Sequence, residues 1–263
     1  MSALNCIRLS DAAVVCTDAA VYDAEGVIWR IAPKAMSMPH LRAVMATRGP
    51  ALTTPIFAIE LGGCYRTFDA LVAGVEKDFA TLCEKHADTL SEDENPRIEM
   101  LLAGWSDERD RPESYMICSG DADVVPAELI GAAIEPLSMK LMELPADMYS
   151  PAIPRDVLDR SGLMFGEVNV QVDLLFRAAL ELQRDIRHSN GPGHLARLVG
   201  GFGLIHVVTK EGVNERVICR WDDHLGEPID IAATDWAAWR CANNWSTRGQ
   251  AYANEQHRRA QNS

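Results

Sequence analysis

The amino-terminal part of the chain alternates short apolar runs with turn residues. The apolar segment 3–9 and the apolar segment 12–17 are separated only by Ser10-Asp11, a spacing that predicts a β-hairpin. Tyr22 to Gly26 supplies another turn, Val27 to Ile31 a further short strand and Leu41 to Ala46 another apolar run. The period then changes. Phe68, Leu71, Val72, Val75, Phe79 and Leu82 recur at three- and four-residue steps, which predicts an amphipathic helix from Arg66 to about Lys85. Arg97 to Ser106 and Tyr115 to Ser119 read as two strands joined by the polar turn Asp107 to Pro112. The proline-bearing stretch 126–165 reads as connection, with short strand pieces around Ile130 to Ile134. Val168, Val172, Leu175, Ala179 and Leu182 mark a second helix from Glu167 to about Arg187, stopped by the loop Asn190 to Gly193. Phe202 to Thr209 and Arg216 to Trp221 then alternate as strands.

Strands, helix, strands, helix, strands is an order that keeps antiparallel pairs and helices in separate blocks. It predicts an α+β protein, a four-layer α-β-β-α sandwich of antiparallel sheets, rather than a doubly wound parallel sheet. The domain is expected over residues 1–233. Residues 234–263 form an extension with Trp236, Trp239 and Trp245 ahead of a polar tail. That extension reads either as a capping helix on its own core or as a docking surface for a protein partner.

Composition narrows the function classes. The 263 residues carry 25 basic and 38 acidic side chains, a net charge of −13, so nucleic acid and anionic lipid are not expected partners. No apolar run approaches the roughly 18 residues that cross a bilayer, and no basic-then-apolar leader opens the chain, so no membrane association is expected. The seven cysteines form no CxxC pair and read as reduced residues of a cytoplasmic protein. GxSxG, GxxxxGK[ST] and HExxH are absent and the seven histidines do not fall at ligand spacing on one helix, so neither a metal nor a nucleotide enzyme is indicated. Gly200-Gly201-Phe202-Gly203 has no helix after it and reads as a close-packing turn rather than a phosphate cradle.

The chemistry the chain can support lies near its start. Ser2 becomes the first residue if Met1 is removed, and Asp18 and Lys34 follow at equal steps. A free α-amine, of ordinary pKa about 8, can act as base toward its own hydroxyl near neutral pH. A neighbouring lysine depresses the pKa of hydroxyl and amine, and an aspartate holds that lysine charged and oriented. A hairpin brings residue 18 back beside residue 2, and a third strand can return residue 34. The plainer alternative is a terminal serine, a strand-end aspartate and a solvated lysine after Pro33. Cys6, freed by cleavage after Asn5, is another conceivable nucleophile, but it reads as an inward-facing strand residue.

Ser2, the segment Asp11 to Asp18, Ile31-Ala-Pro-Lys34, and His40 to Ala46 resemble the proteasome β-type family of N-terminal-nucleophile (Ntn) hydrolases, including the proteasome-like peptidases of bacterial ATP-dependent proteases. Met100 to Ser106 with Ser114 to Gly120 and Asp123-Val-Val125, and Gly200 to Gly212, are similar to that family's central hairpin and late strand. The resemblance spans roughly residues 2 to 220. It implies Ser2 as nucleophile, its own amine as base, Lys34 tuning the pKa, and Asp18 orienting Lys34. Backbone amides around Thr47, Arg48 and Gly49 would stabilise the oxyanion. It also implies self-assembly into a homo-oligomer, cleavage of peptide or amide bonds, and no cofactor. Several family features differ: serine replaces threonine, Ala46-Thr47-Arg48-Gly49 stands at the oxyanion glycine, Ala196 and Val199 replace an aspartate and a serine, and Phe165-Gly166 replaces a Ser-Gly pair. A catalytically inactive structural or assembly component built on the same fold remains the other reading.

Overall fold

The computed structural model of the chain describes residues 3–90, 97–120, 138–144, 147–163, 171–189 and 195–245. Ser2, the proposed strand pieces at 130–134, Asp123 to Val125, Phe165-Gly166, the loop 190–193 and the polar tail lie outside the described residues.

The elements, in chain order, are β1 (Leu4–Arg8), β2 (Ala13–Thr17), β3 (Ala20–Tyr22), β4 (Ile28–Ile31), β5 (Ala35–Met38), β6 (Ala43–Arg48), α1 (Thr53–Cys64), α2 (Phe68–Lys85) and α3 (Ala87–Leu90). There follow β7 (Glu99–Ser106), β8 (Arg111–Cys118), β9 (Met142–Glu143), β10 (Met148–Ser150), α4 (Arg155–Ser161) and α5 (Val172–Asp185). The chain finishes with β11 (His188–Ser189), β12 (Leu195–Ala196), β13 (Phe202–Thr209), β14 (Gly212–Arg220) and α6 (Trp236–Ala242).

The N-terminal hairpin forms as its pattern predicts, with Cys6 opposite Val15 and Leu4 opposite Thr17. Its second strand then pairs with a strand almost two hundred positions later, Thr17 opposite Leu204. The resulting five-stranded antiparallel sheet runs β10-β1-β2-β13-β14, and a second runs β5-β6-β7-β8-β9. Strand residues alternate between two buried surfaces. Val44, Ala46, Leu101 and Ala103 share one cluster with Leu4, Cys6, Ala13 and Val15, while Met45, Met100 and Leu102 turn to the cluster under α1 and α2. Such two-sided burial explains why these strands read as nearly continuous apolar runs.

α2 is the helix its periodicity announces. Phe68, Leu71, Val75, Phe79 and Leu82 are buried, and Thr67 caps the start by accepting the Ala70 N–H at 3.2 Å. α5 buries Phe176, Ala179, Leu180 and Leu182, but its described extent begins at Val172 rather than at Glu167. α1 has no counterpart in the sequence reading. Ile56, Phe57, Ile59 and Leu61 fall on different sides of it, so no apolar stripe announces it, and Pro55 in its first turn is compatible with helix there. The third tryptophan of the extension, Trp245, is buried with the α5 cluster, and Trp236 and Trp239 pack against the same core.

The fold class read from element order is corrected. The described chain is a mixed α/β arrangement, and not the expected four-layer Ntn sandwich with all strands in two sheets. Besides the two five-stranded sheets it has two separate two-stranded ones, β3-β4 and β11-β12, and six α-helices that range from four to 18 residues. The physical reason is local. β3 and β4 pair only with each other, their ribbon being held from outside by the Ile28 N–H to Glu227 carbonyl bond at 3.0 Å and by a small cluster of Ala20, Ile28 and Ile229. A hydrophobic pattern shows that a short run is a strand but not which sheet it joins.

Candidate active site

Asp18 lies at the end of β2 with no solvent exposure. A carboxylate so deeply placed must be fully hydrogen-bonded to be tolerated. Its Oδ1 accepts the Ala3 N–H at 2.9 Å, and its Oδ2 accepts the N–H groups of Ala20 at 3.2 Å and Gly200 at 3.1 Å. Lys34 Nζ donates to both oxygens at 2.9 Å, and the lysine side chain is only 10% exposed. Asp18 therefore gathers the start of β1, the start of β3, the β4–β5 connection and the turn before β13 onto one group. Burial pushes the Lys34 ammonium below its ordinary pKa; the charge and hydrogen bonds of Asp18 oppose that push, and Arg48 adds to it. The ammonium also lies 5.6 Å from the Tyr22 ring centroid, a cation–π contact that replaces some of its lost hydration.

The turn that supplies the Gly200 amide needs both of its glycines. A Cβ on Gly200 would come within 2.6 Å of Asp223 Oδ2 and 2.9 Å of Arg184 Nη1. Gly201 has φ +76°, and a Cβ there would meet Ile31 Cγ2 at 2.9 Å. A buried ion pair sits behind the turn. Arg184 grips Asp223 at 2.5 and 2.9 Å and the Val199 carbonyl at 2.7 Å, and Asp223 accepts the Gly201 N–H at 2.7 Å. The close-packing role expected of this glycine cluster is what the geometry shows.

Register brings the proposed oxyanion segment to the same place. Ala35 of β5 faces Ala46 of β6, so the residues just beyond, Lys34 and Thr47, come together at the sheet end. Thr54 of α1 clamps them: its hydroxyl donates to the Lys34 carbonyl at 3.1 Å, leaving the Thr47 hydroxyl as donor in the 2.6 Å contact between the two threonines. Gly49 has φ +130°, and a Cβ there would press on the Arg97 carbonyl at 2.7 Å, which accounts for glycine at that position. The Arg48 side chain turns aside to Glu99, 3.3 Å away, and to the Ser150 hydroxyl.

A cavity of about 810 Å³ opens over these groups. Lys34, Thr47, Arg48, Gly49 and Thr54 line it, with the β3-β4 ribbon contributing Tyr22, Trp29 and Arg30 and the β7 side contributing Arg97 and Glu99. Asp18 and Lys34 are thus brought together, Thr47 to Gly49 lie beside them, and Ser2 lies outside the described residues. Thr54, Gly200, Arg184 and Asp223 were not singled out from the sequence as site residues. Each acts across a sequence separation that no local pattern marks. Cys6 is fully buried on β1, and burial holds its thiol near a pKa of about 12, unsuited to nucleophilic attack. Among the described residues there is no group of three or more His, Cys, Asp or Glu side chains arranged to hold a metal, and no helix long and apolar enough to cross a membrane. All seven cysteines are free, with Cys64 and Cys241 exposed rather than in the core.

Neither the models of known protein families nor the curated proteins contain a match to this chain.

Proposed function

We propose that the chain is an N-terminal-serine hydrolase of peptide or amide bonds, with Ser2 as nucleophile once its amine is free. The observation that carries this reading is the Lys34–Asp18 pair at the cavity, with Asp18 also holding the amide of Ala3. Ala3 N is bonded to the Ser2 carbonyl carbon, so the same carboxylate that orients Lys34 tethers the residue next to Ser2.

In this mechanism the Ser2 α-amine, of ordinary pKa about 8, takes the hydroxyl proton as Oγ attacks the substrate carbonyl carbon. The oxyanion formed is met by backbone N–H groups of the 47–49 segment. The amine then passes its proton to the leaving nitrogen, the C–N bond breaks, and an acyl-serine ester remains. Water, deprotonated by the same amine, attacks the ester and frees the acid. Lys34 disfavours protonation of the neighbouring amine and favours the developing alkoxide. Asp18 keeps the lysine in place. Family resemblance also supports self-association, with Ile59 on α1, 68% exposed, a side chain that association would cover.

Two measurements test the reading together. The intact mass of the denatured chain should be lower than that of the sequence by one methionine, and the protein should release amine from peptide amides. Ser2→Ala should abolish release while leaving the circular dichroism spectrum and thermal midpoint unchanged. Equal release by both proteins removes Ser2 as the nucleophile, whereas no release by a chain with a free Ser2 sinks the hydrolase and favours the inactive assembly component.

A further inference from the structure

From the Val199 carbonyl to the Gly201 carbonyl, each backbone polar group of the turn before β13 has a partner. The Gly200 N–H donates to Asp18 at 3.1 Å, and the Gly200 carbonyl accepts the N–H groups of Ala19 and Ala20, each at 3.0 Å. Its two neighbours are held from the other side, by α5 and by the segment after β14. Arg184 Nη1 donates to the Val199 carbonyl at 2.7 Å, Asp223 accepts the Gly201 N–H at 2.7 Å, and the Trp221 N–H donates to the Gly201 carbonyl at 3.0 Å. The side chains of Arg184 and Asp223 are only 4% and 5% exposed. An ion pair so deeply buried is often no more stabilising than apolar side chains of the same volume, but an apolar pair could neither accept the Gly201 N–H nor donate to the Val199 carbonyl. Trp221 steadies the guanidinium, its ring centroid 4.9 Å from Arg184 Cζ and its indole N–H donating to Glu181 of the same helix at 3.2 Å.

We propose that Arg184 and Asp223 are positioning residues of the candidate active site: by fixing Val199 and Gly201 they set the Gly200 amide on Asp18, and Asp18 in turn sets Lys34 at the cavity. The proposal rests on the hydrolase reading for its effect on turnover, but the place of Lys34 can be read without any substrate. The path is short. Arg184 grips Asp223, Asp223 holds Gly201, Gly201 is peptide-linked to Gly200, and Gly200 meets the carboxylate that both oxygens offer to Lys34 at 2.9 Å. The turn governs a second amide as well. The Ala20 N–H, which donates to Asp18 at 3.2 Å, is shared with the Gly200 carbonyl, so two of the three backbone amides that hold Asp18 depend on where Gly200 sits. Misplacing an orienting group by about 1 Å can cost about a hundredfold in rate even when the change is made far from the reacting atoms.

The test compares the full chain with Arg184→Lys, which keeps the charge but replaces the planar fork by a point donor that cannot serve Val199 and both Asp223 oxygens together. In protein carrying isotope-labelled lysine, the Lys34 ε-carbon signal is the one of five that Lys34→Arg removes. Arg184→Lys should displace or broaden that signal while those of Lys77, Lys85, Lys140 and Lys210 stay in place. For peptide amides, kcat should fall by about tenfold to a hundredfold with KM unchanged. Glu113→Gln, which weakens the fold away from the cavity, should alter neither readout and so separates positioning from stability. If Arg184→Lys does not fold, Arg184→Gln combined with Asp223→Asn leaves no buried charge unpaired and should show the same two effects. An unmoved Lys34 signal in a folded variant, or an unchanged kcat in a chain that hydrolyses peptides, overturns the proposal. The two readings fail separately. If Lys34 moves but the unsubstituted chain cleaves nothing, the hydrolase falls and the placement of Lys34 stands; if the unsubstituted chain cleaves peptides and Arg184→Lys cleaves them equally fast, the reverse holds.

Discussion

Among the described residues, two carboxylates, Asp18 and Glu113, have no exposed side-chain surface, and they are held in opposite ways. Glu113, on β8, is surrounded by side chains: Arg109 Nε at 2.5 Å and Nη2 at 2.9 Å, Arg111 Nε at 2.9 Å and the Tyr115 hydroxyl at 2.8 Å. Burial pushes its carboxyl pKa up, but the hydrogen bonds from Arg109, Tyr115 and Arg111 together outweigh that and hold it below the ordinary value. Arginine does not give up its proton at any pH the fold survives, so this cluster has nothing to exchange. Asp18 is held by three backbone amides and one lysine whose proton affinity burial has lowered. Its lysine partner also lines the cavity, whereas none of Arg109, Arg111 and Tyr115 is among the residues lining it. A buried carboxylate is a catalytic candidate, then, when the group it holds lines open space. Burial and charge pairing alone mark a fastener.

The sharpest way to break this contrast is to make the Asp18 partner resemble that of Glu113. Lys34→Arg keeps a positive charge but replaces the compact ammonium by a bulkier, planar guanidinium that cannot occupy the same place, and peptide hydrolysis should fall by about a hundredfold or more. Activity that survives Lys34→Arg would return Asp18 to the class of Glu113. Asp18→Asn leaves the Lys34 ammonium buried without its counter-ion, and chemical denaturation should show a loss of about 3–5 kcal/mol. Glu113→Gln should cost less, about 1–3 kcal/mol, because Arg109 and Arg111 are 38% and 46% exposed and can turn to water, and kcat/KM should not move.

The pH dependence of stability separates these groups from a third. His188 is held near a pKa of about 4 by burial, partly opposed by its contact with the Gln183 carbonyl. The unfolded chain therefore binds a proton that the folded chain does not between about pH 6.5 and 4, and stability falls as pH drops through that window. The depressed carboxyl of Glu113 contributes stability that is present above its ordinary value of 4.5 and is lost only below it. Unfolding free energies from urea titrations should thus fall by about 1–2 kcal/mol from neutral pH downward before Glu113 begins to titrate, and His188→Gln should flatten part of that first portion, the rest belonging to His206, whose pKa burial also lowers.

The contrast also explains what could be read from the sequence. α2 and the 3–17 hairpin were legible because each is specified by its own residues: a heptad-like stripe, or an apolar run either side of Ser10-Asp11. Asp18 and Lys34 were legible because only two short strands and a turn separate them. Gly200 was assigned to a tight turn, but nothing local says that its amide reaches a carboxylate 182 positions earlier. The layer arrangement failed for the same reason. Whether Ala20–Tyr22 and Ile28–Ile31 extend a large sheet or form a separate ribbon is decided by Glu227 and Ile229, far along the chain. The helix α1 failed for a different one: apolar residues on every side give no period to detect.

The reach from Asp18 to Gly200 has a consequence for the life of the chain during its synthesis. A ribosome adds roughly 5–20 residues per second, so ten seconds or more, on the order of the time to make residues 19 to 200, separate the appearance of the aspartate from that of the amide that completes its cage. The ribbon that walls the cavity waits longer still, for Glu227 and Ile229. A nascent or truncated chain that stops short of these residues therefore presents an incomplete site, and whatever chemistry the site performs waits until Ile229 has been made.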